Sequence, residues 1–214
     1  MHPVLKPLAA WHFRKPRKYR YEDLVLTVLP TVFHPGIYLS TSILVEFILK
    51  QDIDQKRFLE LGAGSGLVSF IAAKNGALVT ATDINPEAIK GLKANAETNQ
   101  ITVSAVHSNL FENVNPNDFD VIVINPPYYP KAPNSNSEMA FYCGEEFEYF
   151  HSLFGQLKEM LSKSSTEVYM ILSEDCELDK IREIGSLSGF GLEIVHEEKK
   201  MQERNYIFKF VRNE

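Results

Sequence analysis

The sequence predicts an α/β fold in which a mainly parallel β-sheet is covered by helices on both faces. From residue 57 onwards, short apolar runs typical of buried strands alternate with segments of helical composition. The run "DFDVIVI" is apolar on both of its faces, as expected for a central parallel strand. A glycine-rich turn, "GAGSG", follows the first of these strands. In such sheets ligands bind beyond the carboxyl ends of the strands.

Length and composition predict a globular protein with one main domain. The chain has 214 residues, of which 44% are hydrophobic and 23% charged. No apolar run approaches the ~20 residues of a membrane span, and the N-terminus does not read as a signal peptide. Cys143 and Cys176 fit no disulfide framework, so we expect reduced thiols in a cytoplasmic protein. The six histidines are scattered, and no metal or membrane partner is expected.

Charge is distributed unevenly along the chain. The net charge is −6, yet residues 1–20 carry only basic charges: Lys6, Arg14, Lys15, Arg17, Lys18 and Arg20. We therefore divide the chain into a basic N-terminal arm with a hairpin-like extension, residues 1–36, and a main domain, residues 37–214. Two interpretations of the arm stay open, which are contact with nucleic-acid phosphates and a solvated arm that packs on the acidic body.

The elements follow in order along the chain. "YEDLVLTVLPTVF" has strand-like composition interrupted by Pro30, which predicts a hairpin or an edge element. "STSILVEFILKQ" predicts a helix with Ser40 or Thr41 as its N-cap. "RFLEL" predicts a short strand, and "LVSFIAAKNG" a helix that Asn75 and Gly76 end.

The second half continues the alternation. "LVTATD" predicts a strand, and Asn85, Pro86 and Glu87 form a typical helix start. Three further strands are predicted at "ITVSAVHS", "DFDVIVIN" and "TEVYMILS". Two further helices are predicted at "EEFEYFHSLFGQLKEML" and "CELDKIREIGSLSGF". The segments "LEIVHEEKKM" and "NYIFKFVRN" predict a closing antiparallel pair of strands.

The glycine loop predicts a ligand site. Gly62, Gly64 and Gly66 allow a tight turn and a close approach of the backbone to a ligand. A dinucleotide fingerprint would place its third glycine at position 67, which is Leu67. The loop also has no Lys-Ser or Lys-Thr pair, so it is not a nucleoside-triphosphate P-loop.

Two carboxylates accompany the loop. Asp83, at the end of the next strand, can accept hydrogen bonds from both hydroxyls of a ribose, which dinucleotides and S-adenosylmethionine share. Glu60, just before the loop, would repel a pyrophosphate and suits a sulfonium or ammonium group. Two structural alternatives remain: Asp83 as an N-cap-like acid, and Glu60 as an acceptor for backbone N–H groups of the loop.

"LELGAGSG", "ATDINPEAI" and "INPPY" in this order resemble the class I S-adenosylmethionine-dependent methyltransferases that methylate nitrogen. The resemblance implies a Rossmann-like sheet of seven strands with an antiparallel last strand. It also implies a cofactor site: Gly62 and Gly64 under the methionine part with Ala63 and Gly66 completing the loop, Asp83 on the ribose, Ile84 against the adenine, Asn109 in place of the usual acid on the adenine amino group, and Glu60, Thr41 and Asn125 beside the cofactor.

"INPPYYP" predicts the catalytic element. A planar amide or aromatic NH2 is a poor nucleophile, so two acceptors aimed at its N–H bonds stabilise the charge that develops as it is methylated. The Asn125 side-chain oxygen and the Pro126 carbonyl are the candidate acceptors, and Pro127 stiffens the turn without adding a donor. Tyr128 is expected to stack on the planar acceptor. Tyr129 either lines the site or packs beneath the loop.

The methyl acceptor is expected to be a macromolecule. "VFHPGIYLST", "CGEEFEYFHSLFGQLKEML" and "RNYIFKF" resemble segments of protein glutamine methyltransferases that act on release factors, which favours a protein glutamine side chain. Adenine N6 or guanine N2 in RNA or DNA is the alternative. A non-catalytic partner subunit and a dinucleotide oxidoreductase are further alternatives. The segment 130–139, rich in Pro, Asn and Ser, is expected to be a mobile loop that gates the substrate.

Overall fold

The computed structural model describes residues 15–163, 165–200 and 203–213. Its strands are β1 (Arg17–Tyr21), β2 (Leu24–Val28), β3 (Arg57–Leu61), β4 (Leu78–Asp83), β5 (Ser104–His107), β6 (Val121–Ile124), β7 (Glu167–Ser173), β8 (Phe190–Lys200) and β9 (Glu203–Arg212). Its helices are α1 (Leu39–Ile48), α2 (Leu67–Lys74), α3 (Pro86–Asn99), α4 (Glu148–Met160) and α5 (Leu178–Leu187), with a short 3-10 turn at Pro116–Asp118.

One sheet of seven strands organises the fold, in the order β5-β4-β3-β6-β7-β9-β8. The strands from β5 to β7 pair in parallel, whereas β9 is antiparallel to β7 and β8 is antiparallel to β9. The predicted α/β fold, with a mainly parallel seven-stranded sheet and an antiparallel last strand, is confirmed. The closing pair is also confirmed, and β9 enters the sheet between β7 and β8.

Two apolar cores cover the two faces of the sheet. Alternate residues of β3 point to opposite faces, so that Phe58 joins one core and Leu59 the other. Helices α1, α2 and α3 cover the first face, with side chains such as Leu44 and Phe70 fully buried. Helices α4 and α5 cover the second face, where Phe154 is fully buried. The continuous apolar runs of β3, β6 and β7 therefore follow from burial on both faces.

The predicted hairpin is formed by β1 and β2, which pair antiparallel outside the main sheet. Two asparagines of α3 bind the other edge of β2. Asn95 Oδ1 accepts the N–H of Thr27 at 2.8 Å, and its Nδ2 donates to the Thr27 carbonyl at 3.2 Å. Asn99 makes the same two bonds with Val25, at 2.9 and 3.0 Å. These side chains satisfy an edge that would otherwise expose unpaired backbone groups.

The basic arm lies largely outside the described residues, which begin at Lys15. Lys6 and Arg14, which we assigned to it, therefore receive no structural account. The division of the chain at residue 36 stays a prediction. The hairpin on the N-terminal side of that division nevertheless hydrogen-bonds α3 of the main domain.

The predicted N-cap is confirmed for one helix and wrong for another. At α3, Asn85 is the N-cap as predicted, and its Oδ1 accepts the N–H of Glu87 at 3.0 Å. At α1, the predicted N-cap was wrong. The helix already begins at Leu39 with Tyr38 as N-cap, so Ser40 and Thr41 lie inside the first turn and make no capping bond. Within the described ranges, no helix has the length and apolar character needed to cross a membrane.

We expect Asn95→Ala to lower the free energy of unfolding by roughly 2 kcal/mol, because it removes the hydrogen bonds to partly buried backbone groups of Thr27 and to the buried Ser65 carbonyl. Urea unfolding followed by circular dichroism measures the change. Lys93→Ala, on the exposed side of the same helix, is the control and should have little effect. Equal stability of the two variants would contradict a role of Asn95 in fastening the hairpin.

Candidate active site

A cavity of about 470 Å³ opens at the carboxyl ends of β3, β4 and β6. Parallel pairing brings these ends together, since Leu61 of β3 is in register with Thr82 of β4 and with Ile124 of β6. The glycine loop, the residues after β4 and the Asn-Pro-Pro-Tyr segment therefore meet around one space. Of the sequence-predicted site residues, all but Gly66 line it: Thr41, Glu60, Gly62, Ala63, Gly64, Asp83, Ile84, Asn109, Asn125, Pro126, Pro127 and Tyr128.

The glycine loop connects β3 to α2 through left-handed backbone. Gly62 has φ +71° and Gly64 has φ +54°, and both line the cavity. Gly66 does not line it and serves packing instead. A β-carbon at Gly66, where φ is +90°, would lie 2.4 Å from Leu92 Cδ2 of α3. Gly66 is thus required for close contact between the loop and α3.

Asp83 binds the glycine loop through one of its oxygens. Its Oδ2 accepts the N–H of Gly64 at 2.9 Å, and its Oδ1 accepts the N–H of Asn85 at 2.8 Å. Burial raises the pKa of the Asp83 carboxyl, and these backbone bonds oppose the rise. An ionised carboxylate offers about four acceptor sites, so acceptor capacity remains for a ligand. A ribose hydroxyl is a donor that this capacity suits.

Glu60 is buried between the loop and the start of α2. Its Oε2 accepts both the N–H of Ser69 at 2.9 Å and the Ser69 hydroxyl at 2.5 Å. Burial raises the pKa of Glu60 to about 7, while the bonds with Ser69 lower it. Glu60 thus accepts a backbone N–H, but from Ser69 in the first turn of α2 and not, as the structural alternative had expected, from the loop. Glu60 also lines the cavity, so a cationic ligand group remains within its field.

Asn109 follows β5 and lines the cavity with Ser108 and Leu110. The Asn109 Nδ2 donates to Glu112 Oε1 at 2.9 Å. With its amino group engaged in this way, the amide oxygen is available as an acceptor. The contact with an adenine amino group stays a prediction.

The Asn-Pro-Pro-Tyr segment leaves β6 and forms one wall of the cavity. Asn125 Nδ2 lies 3.3 Å from Ser40 Oγ and 3.5 Å from Thr41 Oγ1 on α1. Tyr128 is only 9% exposed, and its ring centroid lies 4.8 Å from that of Tyr129. Burial raises the pKa of Tyr128. Tyr129 lines the cavity and also packs against the core on the second face of the sheet, so it combines its two predicted positions.

Sequence reasoning missed an aromatic wall of the cavity, formed by Phe33, Tyr38 and Phe141. Phe33 stacks on Tyr38 with ring centroids 5.2 Å apart, and Phe141 lies 5.9 Å from the first and 5.7 Å from the second. Phe141 belongs to the loop of residues 130–142. Backbone bonds of Tyr129 with Phe141 and Cys143 close its base. The predicted mobility of residues 130–139 stays a prediction.

The charges on the cavity wall have one sign. Among the described residues that line it, Glu60, Asp83 and Glu148 are acidic and none is Lys, Arg or His. Tyr149, next to Glu148 on α4, also lines the wall. Burial raises its pKa, and the nearby Asp83 adds to the effect. Across the described part of the chain, no three His, Cys, Asp or Glu side chains are grouped as a metal site.

Comparison with known proteins identifies the family of this chain. The methyltransferase small domain family matches residues 23–141, which is more than half of the chain. The chain belongs to this family. It is therefore a methyltransferase, as the three quoted motifs predicted.

Individual relatives agree with this family. A Methanocaldococcus jannaschii protein with the provisional name protein N5-glutamine methyltransferase is 35% identical over 181 residues, covering 81% of this chain and 88% of its own. The release factor glutamine methyltransferase of Fusobacterium nucleatum is 35% identical over 127 residues, 55% of this chain and 36% of its own. The methyltransferase thus spans about a third of that bacterial relative.

A solved structure matches the fold. One chain of a solved complex from E. cuniculi, which is responsible for methylation of the translation termination factor eRF1, superposes on this chain with a TM-score of 0.65. The match covers 86% of this chain and 99% of that one, at 19% identity. At this identity the similarity concerns the Rossmann-like fold alone.

We expect Glu60→Gln to change how the stability of the ligand-free methyltransferase depends on pH. Between pH 4.5 and 7 the folded protein keeps a proton on Glu60 that the unfolded chain loses, so rising pH destabilises the wild type. Glutamine has no such proton. The stability of the variant relative to wild type should therefore rise by on the order of 3 kcal/mol from pH 4 to pH 8.

Urea unfolding at four pH values measures this difference. Glu97→Gln, an exposed change on α3, is the control. A constant difference between Glu60→Gln and wild type over this pH range would contradict a raised Glu60 pKa.

Proposed function

We propose that this methyltransferase transfers the methyl group of S-adenosylmethionine to the side-chain nitrogen of a protein glutamine. The observation that carries the proposal is the position of Asn125, at the end of β6 and on the wall of the cavity that the glycine loop also lines. The names of the M. jannaschii and F. nucleatum relatives support the choice of glutamine.

The proposed cofactor site uses residues that already stand around the cavity. Gly62 and Gly64 offer backbone that a ligand can approach closely. The free acceptor sites of Asp83 suit the ribose, and Ile84, 38% exposed, offers an apolar surface for the adenine. Asn109 offers its amide oxygen. When bound, the cofactor supplies an electrophilic methyl group next to a positive sulfur, which the carboxylate of Glu60 would stabilise.

Asn125 and Pro126 are proposed to activate the acceptor nitrogen. The lone pair of an amide nitrogen is delocalised, so the nitrogen becomes nucleophilic only as its geometry turns pyramidal. The Asn125 Oδ1 and the Pro126 carbonyl would accept its two N–H bonds and stabilise the charge that develops. Pro126 and Pro127 carry no N–H that could compete for these acceptors. Holding the nitrogen in line with the methyl group supplies the remaining rate gain, and the methylated nitrogen then loses its proton to water.

The acceptor is proposed to be protein because no Lys, Arg or His is among the described residues that line the cavity. A nucleic acid brings phosphates, which proteins neutralise with Lys or Arg. The lining side chains instead include Glu60, Asp83 and Glu148. The alternative acceptor, adenine N6 or guanine N2, is favoured by Lys18 and Arg20, which are exposed on β1.

The proposed location is the cytoplasm. Cys143 and Cys176 are both buried and both free. Burial raises the pKa of each thiol, to about 11 and about 12, which keeps both in the unreactive protonated form. Two unpaired thiols suit a reducing compartment.

We expect Asn125→Ala to lower kcat at least ~100-fold, because it removes an acceptor that acts on the transition state. The dissociation constant of S-adenosylhomocysteine should change less than about threefold, as measured by calorimetry. Asn213→Ala, an exposed change at the residue that follows β9, is the control. An unchanged kcat would remove Asn125 from the mechanism.

The acceptor class is tested by labelling a cell extract with a tritiated methyl donor and purified enzyme. We expect protease to release the label and nuclease to leave it, with N5-methylglutamine in the hydrolysate. Label that nuclease releases would replace glutamine with a base as the acceptor. Binding of NAD with no binding of S-adenosylhomocysteine in calorimetry would contradict the cofactor.

A further inference from the structure

We propose that the hydroxyls of Ser40 and Thr41 are positioning groups that hold the Asn125 amide toward the acceptor nitrogen. This inference rests on the proposed function, since it concerns how the same site is aligned. It assigns Thr41 to Asn125 rather than to the cofactor, and it gives Ser40 a role that no sequence motif indicated.

The two hydroxyls are placed for this contact by the first turn of α1. Ser40 is 4% exposed and Thr41 is 5% exposed, so water has little access to either. Their oxygens lie 3.3 and 3.5 Å from Asn125 Nδ2. Neither hydroxyl caps the helix, which begins at Leu39 without a side-chain capping bond. Two polar groups are thus buried together against one amide.

An asparagine amide has a donor group, Nδ2, and an acceptor group, Oδ1, on two different sides of its planar carbon. Its last torsion is broad and nearly two-fold, so packing alone fixes it poorly. Contact of Nδ2 with the two hydroxyls fixes the side chain and turns Oδ1 away from α1. The N–H bonds of an acceptor nitrogen then favour this same orientation, because the flipped amide would present its own N–H groups to them.

The contact also links the segment after β6 to helix α1. Asn125 follows β6, whereas Ser40 and Thr41 belong to a helix far earlier in the chain. A shift of α1 would therefore move the Asn125 amide. A misplacement of about 1 Å can lower the rate of transfer between two bound groups ~100-fold.

The chain offers a matched control on the next residue. Ser42 is also in the first turn of α1, but its Oγ donates to the Leu39 carbonyl at 2.8 Å and does not contact Asn125. Ser42→Ala removes a hydroxyl from the same turn and leaves the Asn125 contact in place.

The kinetic test compares Ser40→Ala combined with Thr41→Val, Ser42→Ala and Thr41→Ser, each with saturating cofactor and a glutamine-containing acceptor. We expect about a tenfold lower kcat in the double variant, ~1.4 kcal/mol in the barrier. Its dissociation constant for S-adenosylhomocysteine should stay within twofold of wild type. Ser42→Ala should keep the wild-type rate, and Thr41→Ser, which retains the hydroxyl, should keep most of it.

Two kinetic outcomes would overturn the inference. A wild-type kcat in the double variant would show that the hydroxyls do not align Asn125. A loss of cofactor affinity as large as the loss of kcat would show that they bind the cofactor instead.

A second readout needs no catalysis and therefore separates this inference from the proposed function. In 15N-labelled protein, the side-chain amide signals of Asn125 are identified by their absence in Asn125→Ala. We expect them to shift in the double variant and to stay in place in Ser42→Ala. Signals unmoved in the double variant would overturn the inference, whereas a wild type that methylates no acceptor would overturn only the proposed function.

Discussion

The parallel register of β3 with both of its neighbours is the constraint on which the site depends. Leu61 is aligned with Thr82 on one side and with Ile124 on the other, so three strands end at the same level. The segments that follow these three strands therefore leave the sheet next to one another. A slip of β6 by one residue would turn Asn125 to the other face and move each β6 side chain from its own core to the opposite one. The chemistry of the site is thus a consequence of strand pairing.

That arrangement brings two carboxylates into the interior, which costs free energy unless they are bonded. Glu60 and Asp83 together accept bonds from the backbone N–H groups of Ser69, Gly64 and Asn85. The bonds satisfy one or more acceptor sites on each, but burial still raises both pKa values, and Asp83 raises that of Glu60 further. A cationic ligand would relieve this repulsion. Glu60 and Asp83 therefore make the cavity more favourable for a positively charged ligand group than for a neutral or negative one.

Sequence reasoning succeeded where a short segment determines its own geometry. The glycine loop, the Asn85 N-cap and the strand that leads into Asn125 depend on neighbouring residues, and the structure has them as predicted. It failed where a residue's role is set by a distant partner. Gly66 serves contact with Leu92, and the first turn of α1 faces Asn125 instead of capping the helix. The aromatic wall joins Phe33 to Phe141 across more than a hundred residues, and no local pattern reports such a contact.

The catalytic segment alone does not choose between an amide and a base, because both present a planar nitrogen with two N–H bonds to the same two acceptors. The choice must come from groups that meet the rest of the acceptor. In this chain Lys18 and Arg20 are exposed on the outer hairpin strand, whereas the described side chains that line the cavity include Glu148 and no Lys, Arg or His. A polyanion that entered the cavity beside the cofactor would meet that acid and no cation among these described residues. A peptide brings a neutral backbone and no such penalty, so the charges of the described wall support the proposed protein acceptor where the catalytic segment does not discriminate.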